Sequence, residues 1–174
     1  MKYSNLGPTG VSLAWPLSRP VVILLCGLPG SGKTTFARRR ERETGAIRFS
    51  TDEWMADLGL DYFDALRDNV QNRLDRLWAQ LVERGLSVIL EDGTWQREER
   101  DELRHIAERL GAGTELHYFD VPFDELWRRL ETRNANPPYG TVPITRELLE
   151  DSRLRLQRPD QAEFSLFDRF VVHH

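Results

Sequence analysis

Lysine is almost missing from this chain. Of 24 basic side chains only Lys2 and Lys33 are lysines, and arginine supplies the rest. An interior lysine among arginines marks a place that needs a compact ammonium on a flexible stem, not a planar guanidinium fork. Cysteine is nearly absent too. Cys26 stands alone, which excludes an internal disulfide framework and suits a reducing, cytoplasmic setting. It follows an apolar run and reads as a small core residue rather than a reactive thiol. No apolar stretch approaches a membrane span, and Val21 to Cys26 is too short for a secretory core, so no membrane partner is expected. A strong excess of one charge is lacking as well. With 24 basic and 28 acidic side chains the net charge is −4, which gives no global attraction to nucleic acid. There are no internal repeats or low-complexity tracts, and 174 residues suffice for one well-formed domain but not two.

What surrounds Lys33 is specific. Gly27-Leu28-Pro29-Gly30-Ser31-Gly32-Lys33-Thr34 fits the phosphate-loop pattern G-x-x-x-x-G-K-[ST], with Thr35 the next residue. Glycines free backbone N–H groups to wrap a polyphosphate, Lys33 reaches the outer phosphates, and the Thr34 hydroxyl can take a magnesium ion. The aliphatic run Val21 to Leu25 before the loop suits a parallel strand buried on both faces. A helix is expected over Thr34 to Glu43, so the loop lies at a helix N-terminus that favours anions. A dinucleotide-type G-x-G-x-x-G fails, because Thr35 and Pro29 stand where glycines are required. Arg38-Arg39-Arg40 reads as a solvated face of that helix.

Strands and helices alternate from Val21 onward, which predicts an α/β domain with a mostly parallel sheet over residues 21–174. Residues 1–20 carry turn chemistry without periodicity and read as an N-terminal leader. Further strands are expected at Ile47–Ser50, Leu86–Glu91, Glu115–Val121 and Phe164–Val172. Helices are expected at Asp61–Arg84, Glu98–Leu110, Phe123–Arg133 and Thr145–Gln157, the last with Thr145 as its cap. In the first of these Leu66, Val70, Leu74, Leu77 and Leu81 share one face. Asn136-Pro137-Pro138-Tyr139-Gly140 interrupts the pattern and belongs to a lid segment over about 128–146.

Ligands of open α/β sheets bind beyond the carboxyl ends of the strands. Those ends carry the phosphate loop, Ser50-Thr51-Asp52-Glu53-Trp54, Glu91-Asp92-Gly93-Thr94-Trp95 and Asp120. Carboxylates beside a polyphosphate site point to phosphoryl transfer, which needs positioning, charge neutralisation and a base for the attacking hydroxyl. Asp52 is the expected base, with helix N-cap as its structural alternative. Glu91 or Asp92 is the expected magnesium-linked acid, and strand alternation predicts that only one of them faces the site. Arg129 and Arg133, four apart on one helix face, are expected to close on the γ-phosphate as a lid, the alternative being surface ion pairs. Trp54 and Trp95 could wall an apolar acceptor site, and Arg97 and Arg100 are weaker candidates for holding substrate.

With these segments in order, the chain resembles the small bacterial P-loop kinases of the AAA_33 group, related to zeta toxin, chloramphenicol phosphotransferase and polynucleotide kinase. The resemblance runs from Val21 to the C-terminus. It implies a three-layer P-loop NTPase fold with a five-stranded parallel sheet of adenylate-kinase type and a small helical lid. It also implies ATP (GTP being the alternative) with Mg2+, Asp52 as base, and an adenine-side contact from the Arg158–Phe164 loop. Relatives often carry Asp-x-Gly-x-Trp after the third strand, which points to Glu91 as the motif acid. The expected activity is ATP-dependent phosphorylation of a small-molecule hydroxyl, such as a metabolite, nucleoside or antibiotic. The rivals are a polynucleotide 5′-hydroxyl kinase, for which the acidic balance is unfavourable, and a nucleotide-binding switch with little catalysis.

Overall fold

The computed structural model describes residues 19–61, 64–138 and 141–174. Five parallel strands form one sheet in the order β2-β3-β1-β4-β5: β1 (Val21–Gly27), β2 (Ile47–Phe49), β3 (Val88–Gly93), β4 (Gly113–Phe119) and β5 (Arg169–His173). Among the described residues seven helices connect or flank them: α1 (Lys33–Thr44), α2 (Thr51–Asp57), α3 (Arg67–Glu83), α4 (Arg97–Arg109), α5 (Phe123–Ala135), α6 (Arg146–Arg155) and α7 (Gln161–Phe164). The predicted five-stranded α/β fold is thus observed.

β1 is central, hydrogen-bonded to β3 on one side and β4 on the other. Strand alternation divides its apolar run between two faces. Val22, Leu24 and Cys26 face a large core with Leu74, Trp78 and Val82 of α3 and Ala107 of α4. Ile23 and Leu25 face a smaller one with Ala37 of α1. Burying such side chains contributes about 1.5–3 kcal/mol each, which is why β1 tolerates no polar residue. A third cluster, Leu28, Leu126, Leu130 and Leu149, seats α5 and α6 against the phosphate loop. The topology reverses at β1, so a crevice opens beyond its carboxyl end.

Several boundaries differ from the sequence reading. The helix expected from Asp61 begins at Arg67. Asp64 Oδ1 accepts the Leu66 N–H at 2.8 Å, and such local side-chain bonding competes with helix. The buried stripe of α3 is Leu74, Trp78 and Val82, with Val70, Leu77 and Leu81 half-buried beside it and Leu66 48% exposed. Phe164 ends α7, and the last strand starts five residues later at Arg169. Asp160 caps that helix by accepting the Glu163 N–H at 2.8 Å. Ser50 is the N-cap of α2, so Asp52 sits in the first turn instead of capping it. Thr145 does cap α6, accepting from the Leu148 N–H at 3.3 Å. Of the leader, residues 1–18 lie outside the described residues. Arg19 donates to the Gly111 and Ala112 carbonyls at 2.8 and 2.5 Å, fixing the chain just before β1.

Candidate active site

The phosphate loop takes its shape from two glycines with different reasons to be glycine. Gly30 has φ +81°, and a Cβ there would meet Leu130 Cγ at 3.0 Å, so the loop lies directly on α5. Gly32 has φ +100° and no atom within 4 Å of a Cβ position, so its backbone faces open cleft. Gly32 is also the N-cap of α1, without a side-chain cap and with no acidic residue in the first turn. The other six helices carry an acid there. Among the described helices only the α1 terminus lacks a first-turn acid, so its positive dipole end is left for an anion.

Lys33 folds back along the loop, its Nζ donating to the Gly27 and Leu28 carbonyls at 2.9 and 3.0 Å. Burial lowers its ammonium to about 8, while Glu91 and Asp52 oppose the fall and Arg133 adds to it. These four charges therefore share one field. They line a cleft of ≈ 370 Å³, together with Thr34, Thr35, Asp92, Trp95 and Arg129. The Ser31 Oγ beneath the loop and the Nε of Arg133 are buried without a protein partner. A compact lysine, an uncapped helix end, an open face at Gly32 and orphaned donors together fit a polyphosphate.

The opposite wall comes from distant segments. Asp52 accepts from Arg67 Nη2 of α3 at 2.7 Å. Glu91 is buried, and its Oε2 accepts from Arg48 Nη1 at 2.7 Å. Arg48 also bonds Glu53, which takes Arg38 Nη2 of α1 at 2.5 Å. Asp92 accepts the Thr51 N–H and hydroxyl at 2.9 and 2.8 Å. Enclosure by the cleft walls pushes its carboxyl up to about 6, against those two bonds, although its surface stays open to solvent. Glu91 and Asp92 both line the cleft, contrary to the expectation that alternation would turn one away. The β1–β3 register shifts between Leu24 and Cys26, and the cleft spans both sides of the strand end. Among the described residues no three His, Cys, Asp or Glu side chains cluster as a metal cage. Thr34 and Glu91 both line the cleft, and magnesium usually keeps phosphate oxygens and water among its ligands instead of an all-protein cage.

The arginines divide sharply. Arg133 reaches the Val142 carbonyl at 3.1 Å, and burial lowers its pKa while Asp52 opposes that. Asn134 bonds both the Ile144 carbonyl (2.8 Å) and its N–H (3.1 Å), closing the segment after α5 back onto the helix. Tyr139 and Gly140 of the expected lid lie outside the described residues. Arg129 lines the cleft but is held by Glu125 at 2.7 Å on the exposed side of α5. Arg100 is a correction. It is completely buried and spends its donors on Glu163 (2.5 and 2.9 Å) and on the carbonyls of Thr94, Trp95 and Gln157 (3.0 Å each). Nothing is left for a substrate. It instead fixes the β3–α4 loop, where Thr94 holds an unusual φ of +27°. Arg97 is occupied by Asp160 and Asp101. Trp95 reaches the cleft wall and donates to the Gly27 carbonyl at 3.0 Å, whereas Trp54 lies outside it, 44% exposed. Arg48, Thr51 and Arg67 were missed in the sequence. Arg48 alone left a signal, as a charge between the two apolar residues of a short strand.

The AAA_33 family model, described as "AAA domain", matches residues 22–159. The chain belongs to the AAA_33 family. Among curated proteins, this AAA_33 chain is 27% identical over 176 residues to an adenylate kinase of Thermotoga neapolitana, covering 87% of this chain and 79% of that one. Among solved structures it resembles a putative kinase from Chloroflexus aurantiacus, with TM-score 0.68, 20% identity, and 90% and 88% of the two chains covered. It also resembles a gluconokinase from Sinorhizobium meliloti (TM-score 0.58, 18% identity, 88% and 81% covered). A component of the Pnkp1/Rnl/Hen1 RNA repair complex matches at TM-score 0.68 and 22% identity over 86% of this chain, which spans 47% of that one. At these identities the solved structures establish the AAA_33 chain's fold and no more. The family is one of nucleotide-binding P-loop proteins with kinase relatives, and no helix among the described residues is long and apolar enough to cross a membrane.

Proposed function

We propose that the protein is an ATP-dependent kinase that transfers the γ-phosphate to a hydroxyl of a small molecule. The observation that carries this reading is Asp52, aimed by Arg67 at 2.7 Å into the same cleft as Lys33 and Arg133. A carboxylate held at a phosphate site without being committed to a helix cap is what a hydroxyl acceptor requires. Asp52 takes the acceptor proton as the acceptor oxygen bonds to the γ-phosphorus and the bond to the ADP oxygen breaks. Lys33 and Arg133 neutralise charge on the transferring group, with Arg129 brought to the same side by α5. Thr34 and Glu91 would hold magnesium, which would supply charge neutralisation to the polyphosphate when bound. Arg158, in the loop after α6 and 3.8 Å from Asp120, would contact the adenine side on this reading.

Acceptor chemistry is the point at which this reading parts from the adenylate kinase relatives, whose acceptor is itself a phosphate. The deciding experiment is Asp52→Asn. Phosphorylation of an alcohol acceptor should fall by about 10²–10⁴ while ATP binding is retained. Transfer at near wild-type rate would remove Asp52 from the role of base. ATP binding with no acceptor ever phosphorylated would instead favour a nucleotide switch.

A further inference from the structure

The Lys33 ammonium spends donors on two carbonyls of its own loop, those of Gly27 and Leu28. To reach the outer phosphates of a nucleotide it has to release them, and a part-buried carbonyl that loses its donor costs free energy. Both acceptors have a second donor. The Leu28 carbonyl takes the Ser31 N–H at 3.2 Å, and the Gly27 carbonyl takes the Trp95 indole N–H at 3.0 Å. The first of these comes from the loop backbone. The second is a side chain 68 positions further along the chain, brought in by the end of β3.

Trp95 is held where it stands. Its carbonyl accepts from Arg100 Nη1 and from the Gln157 N–H, at 3.0 Å each. Gly93 has φ +89°, and a Cβ there would come within 3.0 Å of the Trp95 Nε1, so the ring lies against the backbone at the end of β3. The preceding Thr94 donates its hydroxyl to the Leu25 carbonyl at 3.3 Å. Residues 94 and 95 thus tie β3 to β1 just where the regular pairing slips, between Leu24 and Cys26. An indole suits the task, because it is a donor only. It can bond the carbonyl that the ammonium bonds without offering the ammonium a lone pair of its own. The polar edge of the ring is turned to the loop, which leaves no indole donor for an acceptor molecule.

We propose that Trp95 is a positioning residue for Lys33: its indole holds the Gly27 carbonyl as the ammonium leaves it, so that Nζ passes to the outer phosphates without orphaning the loop. The proposal rests on the polyphosphate reading of the loop and not on the choice of acceptor. Trp95 acts through Lys33 and touches neither the transferred group nor the base.

Inorganic tripolyphosphate with magnesium isolates the step, because it carries neither an adenine nor an acceptor hydroxyl. Trp95→Phe keeps an aromatic ring and removes the donor. Titrated by calorimetry into the whole chain, tripolyphosphate and ATP should both bind this variant about fivefold more weakly, as the net worth of one hydrogen bond provides. A second measurement needs no substitution. The Trp95 indole proton, assigned by triple-resonance spectroscopy, should move downfield as tripolyphosphate is added, since the Gly27 carbonyl then gives its bond to the indole alone. An indole that merely packs would not follow the lysine. Unchanged tripolyphosphate affinity in Trp95→Phe, a loss confined to ATP, or an indole proton that stays put or moves upfield would each overturn the proposal. Failure of the unaltered protein to bind tripolyphosphate would overturn the phosphate reading, and this proposal with it.

Discussion

The two walls of the phosphate cleft are held in place by different means. One is local: residues 27–35 supply the glycine conformations, the lysine and the helix end, and their contacts run largely within the loop and to α5. The other is assembled from Arg48, Asp52, Arg67, Glu91 and Asp92, which meet only because β2 pairs with β3 and α3 packs beside α2. The first wall is mostly backbone and the second mostly paired side chains. Damage should therefore spread differently. A fault in the loop should abolish phosphate handling in a folded protein, whereas a fault behind the other wall should loosen the fold first.

The largest effect tests the second half of that statement. Arg100 anchors the loop from β3 to α4 through a buried pair with Glu163. Removing it as Arg100→Ala leaves an uncompensated buried carboxylate and should lower unfolding free energy by about 3–5 kcal/mol in urea titration. Arg129→Ala, whose partner Glu125 is on the surface, should leave the same titration unmoved while slowing transfer. A small loss at Arg100 would mean that the second wall is held by the sheet itself and not by its side chains.

Next comes the loop. Lys33→Arg keeps the charge but places a wide planar group where Nζ threads between the Gly27 and Leu28 carbonyls. Turnover should drop by about 10²–10³-fold with the unfolding midpoint unchanged. The same lysine predicts a pH dependence. Its ammonium is lowered to about 8, so the free protein loses this charge above pH 8 instead of above 10.5. Bound phosphates favour the charged form, so ATP affinity should fall above pH 8 by up to about tenfold per unit. A flat affinity from pH 7 to 10 would show that burial does not depress Lys33.

The contrast between the walls also governs what could be read without a structure. The loop was legible because its function depends on contiguous residues, and the parallel sheet was legible because strands buried on both faces are written as unbroken apolar runs. Asp52 and Glu91 were found as carboxylates at strand ends, a placement that topology alone implies. Their partners were not. Arg67 reaches Asp52 from a helix whose start was misread by six residues, since Asp64 bonds the backbone locally and delays it. Arg100 misled in the opposite direction: beside an acid-rich rim it resembles a substrate ligand, and only the burial of Glu163 on the short helix α7 shows that it faces inward. That helix was itself read as loop, with only its last residue, Phe164, assigned to the following strand. Side-chain pairs joining residues 63 positions apart leave no periodic trace in either segment.

The smallest effect separates the two acids at the end of β3. Glu91 is charge-paired with Arg48, whereas Asp92 has hydroxyl and amide donors from Thr51 and no cation bonded to it. Enclosure by the cleft walls, with Asp52 nearby, therefore prevails at Asp92, and its carboxyl is pushed up from 3.8 to about 6. Because the folded value lies above the ordinary one, folding takes up a proton between about pH 4 and 6. This residue consequently favours the folded state fully below pH 4 and loses that contribution as pH rises through 6. A carbon-13 titration of the carboxyl group should show a midpoint near 6, and Thr51→Val should move it higher, since the lost hydroxyl stabilised the charged form. A midpoint that stays put in Thr51→Val, or falls, would mean that the Thr51 hydroxyl does not hold Asp92, leaving only the backbone N–H.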